Sequence, residues 1–424
     1  MKKYLLIFSI CFLPRFIYLF TQLKIDPSWS FHWAFSENLL RYGVLGYEHL
    51  RSTAVDPLYP IFLAGARWVS GDRLILVLLI QITVAAVGCI YFYRLSLALS
   101  KTETVALVAS SLYSFYPYLI HESVTIIEVP LFMTLLIASA YYYLQATPVR
   151  GSLVCGAVFG LTVLARSMIV PAIGLGVIAL ALKKQGLNAG LVAGTFILVT
   201  LPFFLRNYQI DGSFVPTRSG WNLLEGNCKY SDKFLPHYPL DLLDPYTIEL
   251  LDKEKPELAI ATGEKAGREV DTFFTRKALE FVRQNPIRTL RLKLLNVVYL
   301  FYPRIVPFYT MNDKTRVVFR EGEGFEVHRA VSRKFLFELA HSVSYSLILL
   351  TAPVGVFLRR KEVKNDLILF FIVSTFVVIY SIYWPGTRVR VPMDFILMFY
   401  SACALTRFIS THRVFAWIKV QRLV

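Results

Sequence analysis

Apolar stretches recur ten times along the chain, at roughly 4–22, 73–97, 104–120, 127–146, 151–167, 168–183, 188–204, 337–358, 365–383 and 391–408. A helix needs about 20 apolar residues to cross a bilayer, or a few fewer where the bilayer is thin. The pattern therefore predicts ten transmembrane helices, the two within 151–183 being the shortest. Residues 24–72 interrupt it. Within them, residues 24–60 hold Asp26, Glu37, Glu48 and Asp56 among many aromatic side chains, with Phe31, Ala34, Phe35, Asn38 and Leu39 at helical spacing. Segments polar on one side and aromatic on the other lie along a membrane surface rather than across it. The piece 59–71 is apolar but too short to span, so it joins that layer. Two or more short helices without a further crossing are expected between residues 24 and 72.

A second interruption, 205–336, is too polar to span and predicts a mixed insert on the same face as 24–72. Within it, residues 286–303 are amphipathic, and Arg288, Arg291 and Lys293 suit a headgroup layer. The expected organisation has three parts. Residues 1–204 form a transmembrane module with interfacial helices at 24–72, residues 205–336 form an outer-face insert, and residues 337–424 supply the last transmembrane helices and a basic tail. No internal repeat, low-complexity tract or flexible linker is visible.

Composition agrees with an all-α polytopic membrane protein: 55% of the 424 residues are hydrophobic and only 17% are charged. The formal charge of +16 could point to nucleic acid, but its distribution excludes that partner. Lys2, Lys3, Arg94, Lys101, Arg150, Lys183, Lys184, Arg359, Arg360, Lys361 and Lys364 fall between apolar stretches or at their ends, in alternate loops almost free of acid. Arg413, Lys419 and Arg422 continue the bias in the tail. Basic short loops mark the cytoplasmic side, which puts both termini there. Pro14 and Arg15 interrupt the first apolar stretch, so it reads as a membrane helix rather than a cleaved signal. The five cysteines have no metal-type spacing, and no metal or other cofactor is called for.

Chemistry must then sit in the other set of loops. Glu128 opens the fourth stretch beside Pro130, as a helix N-terminal carboxylate or a functional one. His121 and Glu122, just before it, read as plain loop residues. Arg166 breaks an apolar run, where a charge marks a polar cavity or snorkels to the surface. Arg206 and Asn207 end the seventh stretch, and Arg388 and Arg390 precede the last. Arginines on that face run against the positive-inside bias and call for a partner, either an acid or a phosphate held by the planar guanidinium fork.

The motif order resembles the GT-C superfamily of polyprenyl-phosphate-sugar-dependent glycosyltransferases. The branch that looks most similar holds the protein O-mannosyltransferases and the lipid A aminoarabinose transferase. The resemblance rests on Asp26, DPLYPIFLA at 56–64, EVPLF at 128–132, GLTVLARS at 160–167, PFFLRNYQIDGSFVPTRSGWNLLEGN at 202–227 and RVRVP at 388–392. It covers the first 230 or so residues well and the last 60 loosely. It implies a GT-C-like bundle in a bacterial inner or plasma membrane, with its active face outward. The donor would be a polyprenyl-phosphate sugar, and the acceptor a glycan, lipid or protein hydroxyl. Transfer would invert the anomeric carbon, without a nucleotide sugar.

By the same resemblance, Asp26 is the general base and Glu128 the second acidic residue. Arg388 and Arg390 bind the donor phosphate, with Arg206 and Arg166 behind them. Asn207, Tyr59 and Asn222 position substrate. The family pattern often has a second acid or a Tyr after the first span, whereas Asp26 is followed by Pro27, with Phe31 and His32 where the Tyr would fall. Asp56 and Glu37 therefore stay open as bases. A transporter or flippase of a lipid-linked precursor is the rival, although transporters gather charge near the midplane and carry repeats. A non-catalytic membrane subunit, whose carboxylates would not converge, is the third reading.

Overall fold

The computed structural model describes residues 2–21, 27, 30–147, 149–214, 216–238, 240–259, 266–307, 316–320, 324–328 and 335–421. Asp26, the first-choice base, lies outside them. The N-terminal half runs α1 (Lys2–Thr21), α2 (Phe31–Tyr42), α3 (Leu58–Ser70), α4 (Leu74–Ser100), α5 (Glu103–Phe115), α6 (Pro117–Ser123), α7 (Val129–Leu144), α8 (Val149–Ala165), α9 (Val170–Leu182) and α10 (Gly186–Asp211). The insert carries α11 (Ser219–Glu225), α12 (Ser231–Phe234), α13 (Asp244–Glu254), α14 (Pro256–Ala259), α15 (Ala266–Gln284) and α16 (Pro286–Leu300). The chain closes with α17 (Phe335–Leu358), α18 (Leu367–Ile382), α19 (Thr387–Arg390) and α20 (Asp394–Gln421). Two antiparallel hairpins complete it: β1 (Gly46–Tyr47) with β2 (Leu50–Arg51), and β3 (Arg316–Arg320) with β4 (Gly324–His328).

Each of the ten apolar stretches falls on a helix. Among the described residues, five helical segments are long and apolar enough to cross a bilayer: Lys2–Thr21, Leu74–Ser100, Gly186–Asp211, Leu336–Leu358 and Thr387–Ser410. Shorter apolar helices at Val129–Leu144, Val149–Ala165, Ser167–Leu182 and Leu367–Ile382 pack among them. The stretch 104–120 differs from its expectation as one span. Its helix ends at Phe115, Tyr116 is extended (φ −69°, ψ 115°), and Pro117 opens α6. A proline drives the residue before it out of the helical region, which turns the chain here.

One large core joins α4, α5, α7, α8, α9, α18 and α20 through residues such as Phe92, Tyr113, Phe132, Met133, Phe159, Phe376 and Phe395. A second core holds the insert together around Leu224, Phe234, Leu243, Phe273 and Phe274. The third is the one that positions the site, because Tyr59, Leu63 and Ala66 of α3 pack on Leu19, Val77, Ile82 and Val124.

Among its described residues the stretch 24–72 contains two short helices, α2 where the spacing of Phe31–Leu39 predicts one and α3 over the short apolar piece 59–71. Arg67 joins them. Its guanidinium lies 4.0 Å from the Trp33 ring centre, donates to Trp33 O and Ser36 Oγ, and pairs with Asp72 at 2.6 Å. The β1–β2 hairpin is clamped from α10, where Arg206 donates to Leu45 O (2.7 Å) and Ser52 O (3.1 Å). Thr53 donates to the buried Asp211 carboxylate of the same helix at 2.5 Å. The described part of the first loop is therefore tied to a helix far away in sequence.

Candidate active site: a carboxylate ringed by cations

Glu128 is the centre of the arrangement. It sits one residue before α7, is almost fully buried, and faces groups brought by three other segments. His32 Nε2 of α2 lies 3.3 Å from its Oε2. Arg166 Nη2, at the break between α8 and α9, lies 3.5 Å from its Oε1. Arg388 Nη2 of α19 lies 3.6 Å from its Oε2. Arg388 and Arg166 bring the positive charge that a buried carboxylate at Glu128 requires.

Local backbone chemistry puts these groups there. Arg166 is extended (φ −162°, ψ 103°), followed by the short 3₁₀ turn Ser167–Ile169 and then Pro171 inside the first turn of α9. The helix is interrupted at the arginine, which keeps a charge out of the apolar interior. Asp56 caps this break, its Oδ2 accepting from the Ser167 backbone N–H at 3.2 Å. Although the Asp56 residue surface is only partly covered, enough protein surrounds the carboxyl that burial pushes it up to about 6. Ser167 and Arg166 oppose that rise, and Glu128 adds to it. Tyr59 is fully buried, donates to Gln81 Oε1 at 2.7 Å, and meets the His32 ring edge-on at 4.9 Å. Gln81 in turn donates to Ser123 O and Thr125 O, and Ser30 Oγ donates to Ile126 O. These bonds fix the turn carrying Glu128 against the first loop.

Sequence reasoning underrates Glu122. It is buried, and burial pushes it up to about 7, with Arg388 and Arg166 opposing and Glu128 reinforcing. His32 also enters only through the structure. The available signals were two carboxylates six residues apart in HESVTIIE and a histidine one turn before Asp-free Phe35–Leu39. A further charged residue, Arg15, is buried at the root of the same turn. It donates to Ser123 Oγ at 3.1 Å and to the carbonyls of Cys11, Ser114 and Tyr113.

The remaining candidates separate. Glu128, Arg166, Arg388, Asp56 and Tyr59 converge. Arg390 is fully buried and committed elsewhere: it pairs with Asp394 at 3.2 Å, donates to Leu300 O and Tyr302 O, and stacks 3.6 Å over the Tyr345 ring. It braces α16 and α20. Arg206 clamps the first loop, as above, and also donates to Asn207 Oδ1 at 2.9 Å. Asn222 sits in the insert and donates to Arg218 O. A cavity of about 670 Å³ lies apart from the cluster, between Tyr208–Gly212 of α10 and Arg268, Thr272 and Arg276 of α15.

Among the described residues, several buried polar atoms of the cluster accept or donate no hydrogen bond: His32 Nδ1, Arg166 Nη1, Glu122 Oε2 and Glu128 Oε2, the last being met only by the ion-pair contacts of His32 and Arg388. Buried polar groups are nearly always satisfied, so four such atoms together mark a place built for something polar. Among the described residues, no group of three or more His, Cys, Asp or Glu is placed to hold a metal ion.

No protein-family model and no curated protein matches the chain. Solved structures do. The apo crystal structure of the Archaeoglobus fulgidus oligosaccharyltransferase aligns at a TM-score of 0.53 and 14% identity, over 98% of this chain and 52% of that one. The chain thus spans about half the length of that relative. ArnT from Cupriavidus metallidurans bound to undecaprenyl phosphate aligns at a TM-score of 0.43 and 12% identity, over 94% of this chain and 77% of that one. Its apo state gives a TM-score of 0.37 at 12% identity, covering 88% and 72%. The chain shares the helical fold of the archaeal oligosaccharyltransferase and, among the described residues, has five helical segments long and apolar enough to cross a bilayer, as an integral multi-pass membrane protein does.

Proposed function

We propose that the chain is a glycosyltransferase that moves a hexosyl or pentosyl unit from a polyprenyl-phosphate donor to an acceptor hydroxyl. The reaction takes place at the outer face of a bacterial inner membrane. The single observation that carries this reading is the convergence of Asp56, Glu128, His32, Arg166 and Arg388, from distant segments, around buried atoms with unused hydrogen-bonding capacity. Fold likeness to an oligosaccharyltransferase adds weight to it.

In this reading a first-loop aspartate takes the proton of the acceptor hydroxyl as its oxygen bonds to the anomeric carbon. The bond from that carbon to the phosphate oxygen breaks on the opposite face, so configuration inverts and polyprenyl phosphate leaves as an anion. Asp56 is the base candidate within the described cluster, and Asp26 is the alternative. Arg388, about half exposed, supplies the charge that meets the departing phosphate, and Arg166 reinforces it from behind. Glu128 orients both arginines and keeps the buried cations balanced. No cofactor beyond the donor lipid is invoked.

Arg388→Lys tests the phosphate assignment. Lysine keeps the charge but loses the planar two-pronged fork, so donor affinity should fall about tenfold or more while acceptor affinity holds. The check is donor KM, measured on reconstituted protein. Wild-type donor KM and turnover in the lysine variant remove Arg388 from the site.

A further inference from the structure

One face of α16 packs against the protein, and the opposite, apolar face is exposed among the described residues. Thr289, Leu292, Asn296 and Leu300 are buried against the protein. On the opposite side Ile287 is 84% exposed, Leu290 62%, Leu294 63% and Val298 58%. Positions 287, 290, 294 and 298 follow helical spacing and make one continuous stripe.

The basic residues that would place this helix among lipid headgroups are mostly turned away from that stripe. Arg288 pairs with Asp232 of α12 at 2.6 Å, and Lys293 donates to Gly226 O and Ile382 O. Arg291 is exposed beside the stripe. The free face is therefore more apolar than a headgroup-layer helix requires.

Its neighbourhood says what covers it. Asn296 donates to Ser381 O, and Lys293 to Ile382 O, so α16 is fastened to the end of the apolar helix α18. On α18, Val378 (56% exposed) and Ile382 (45% exposed) extend the same kind of surface. We infer that the free face of α16 is embedded in the acyl region of one bilayer leaflet, as a lipid-contact helix that seats the insert in the membrane. At 1.5 Å per residue its 15 residues reach about 22 Å, short of the roughly 30 Å hydrocarbon core, so it does not cross. Arg291 reaches along its aliphatic stem towards the lipid phosphates.

The consequence concerns depth. The residue before Ser381 is Tyr380, which interacts electrostatically with Arg166, Glu128, Arg388 and Asp56. The anchor point of α16 is thus next to the carboxylate–arginine cluster, and lipid contact along α16 sets the height of that cluster in the leaflet.

The test uses the full chain in lipid nanodiscs, with Leu294→Cys or Leu290→Cys carrying an environment-sensitive fluorophore. Cys403→Ser removes the one native cysteine that is not buried. The label on either position should emit at blue-shifted wavelengths and be quenched several-fold by lipids bearing a nitroxide on the acyl chain. The same label at Arg276→Cys, on the exposed side of α15, should behave as in water. Water-like emission quenched by iodide at both α16 positions overturns the inference. Blue-shifted emission that acyl-chain nitroxides do not quench also overturns it, since a protein partner would then cover the stripe.

Discussion

Asp56→Asn should abolish most sugar transfer while leaving the protein folded and able to bind donor. Asparagine fills the same space and its Oδ1 can still accept from the Ser167 N–H, so the break between α8 and α9 keeps its cap. What is lost is the proton acceptor. A positioned general base contributes about 10²–10⁴-fold, and kcat should fall by that order with donor KM little changed. The pH profile gives an independent reading. With the Asp56 carboxyl pushed up to about 6, the base is protonated below that pH and ionised above it. Wild-type activity should therefore drop about tenfold per pH unit on the acid side of pH 6 and level off above it. Asp26→Asn, assayed in parallel, separates the two aspartates. A dead Asp26→Asn beside a near-normal Asp56→Asn moves the base to Asp26, and two active variants remove base catalysis by either.

Glu128→Gln carries the second large effect, for a different reason. Glu128 meets no proton in the scheme; it is the shared counter-charge of Arg166 and Arg388 and lies 3.3 Å from His32 Nε2. Removing one partner of a buried ion pair leaves the other charge uncompensated, at a cost of about 3–5 kcal/mol where burial is complete. Arg166 is mostly buried and bears most of that cost, whereas Arg388 is half exposed and is relieved by solvent. The arginines should therefore lose their common orientation. A displacement of about 1 Å in a reacting group can cost about 10²-fold in rate, and turnover should fall by that order together with a rise in donor KM. Thermal unfolding in detergent should shift down as well. An unchanged donor KM in a folded Glu128→Gln protein would show that the arginines do not depend on this carboxylate.

Much of the fold was legible in the sequence because bilayer solvation writes a strong signal. Long apolar runs had to be helices: nine of the ten stretches fell on single apolar helices, and the tenth, 104–120, is divided between α5 and α6. The split at Tyr116 was missed because hydropathy does not register what one proline does to the residue before it. Within the site, Glu128 and Arg166 stood out as charges at the edges of apolar runs. The roles of the other arginines were not legible, since a guanidinium facing a phosphate and one saturated by carbonyls look alike in sequence. Arg206 proves to be bonded to Leu45 O and Ser52 O, and Arg390 to Asp394, Leu300 O and Tyr302 O. Asp394 aside, four residues on, these partners lie 88 to 161 residues away. Glu122 was hidden for the same reason: its burial comes from the packing of α6 and not from its neighbours in HES. The two-sided character of α16 was half visible, as amphipathicity, but which face would be free depended on α18.

The central claim is that the cluster breaks a sugar–phosphate bond rather than carrying the intact lipid across the membrane. Protein reconstituted in vesicles with a polyprenyl-phosphate sugar labelled in both lipid and sugar distinguishes the two. The account predicts release of sugar-free polyprenyl phosphate, dependent on an added hydroxyl acceptor and lost in Asp56→Asn. Labelled donor that changes leaflet with its sugar–phosphate bond intact, at a rate indifferent to acceptor, would contradict it.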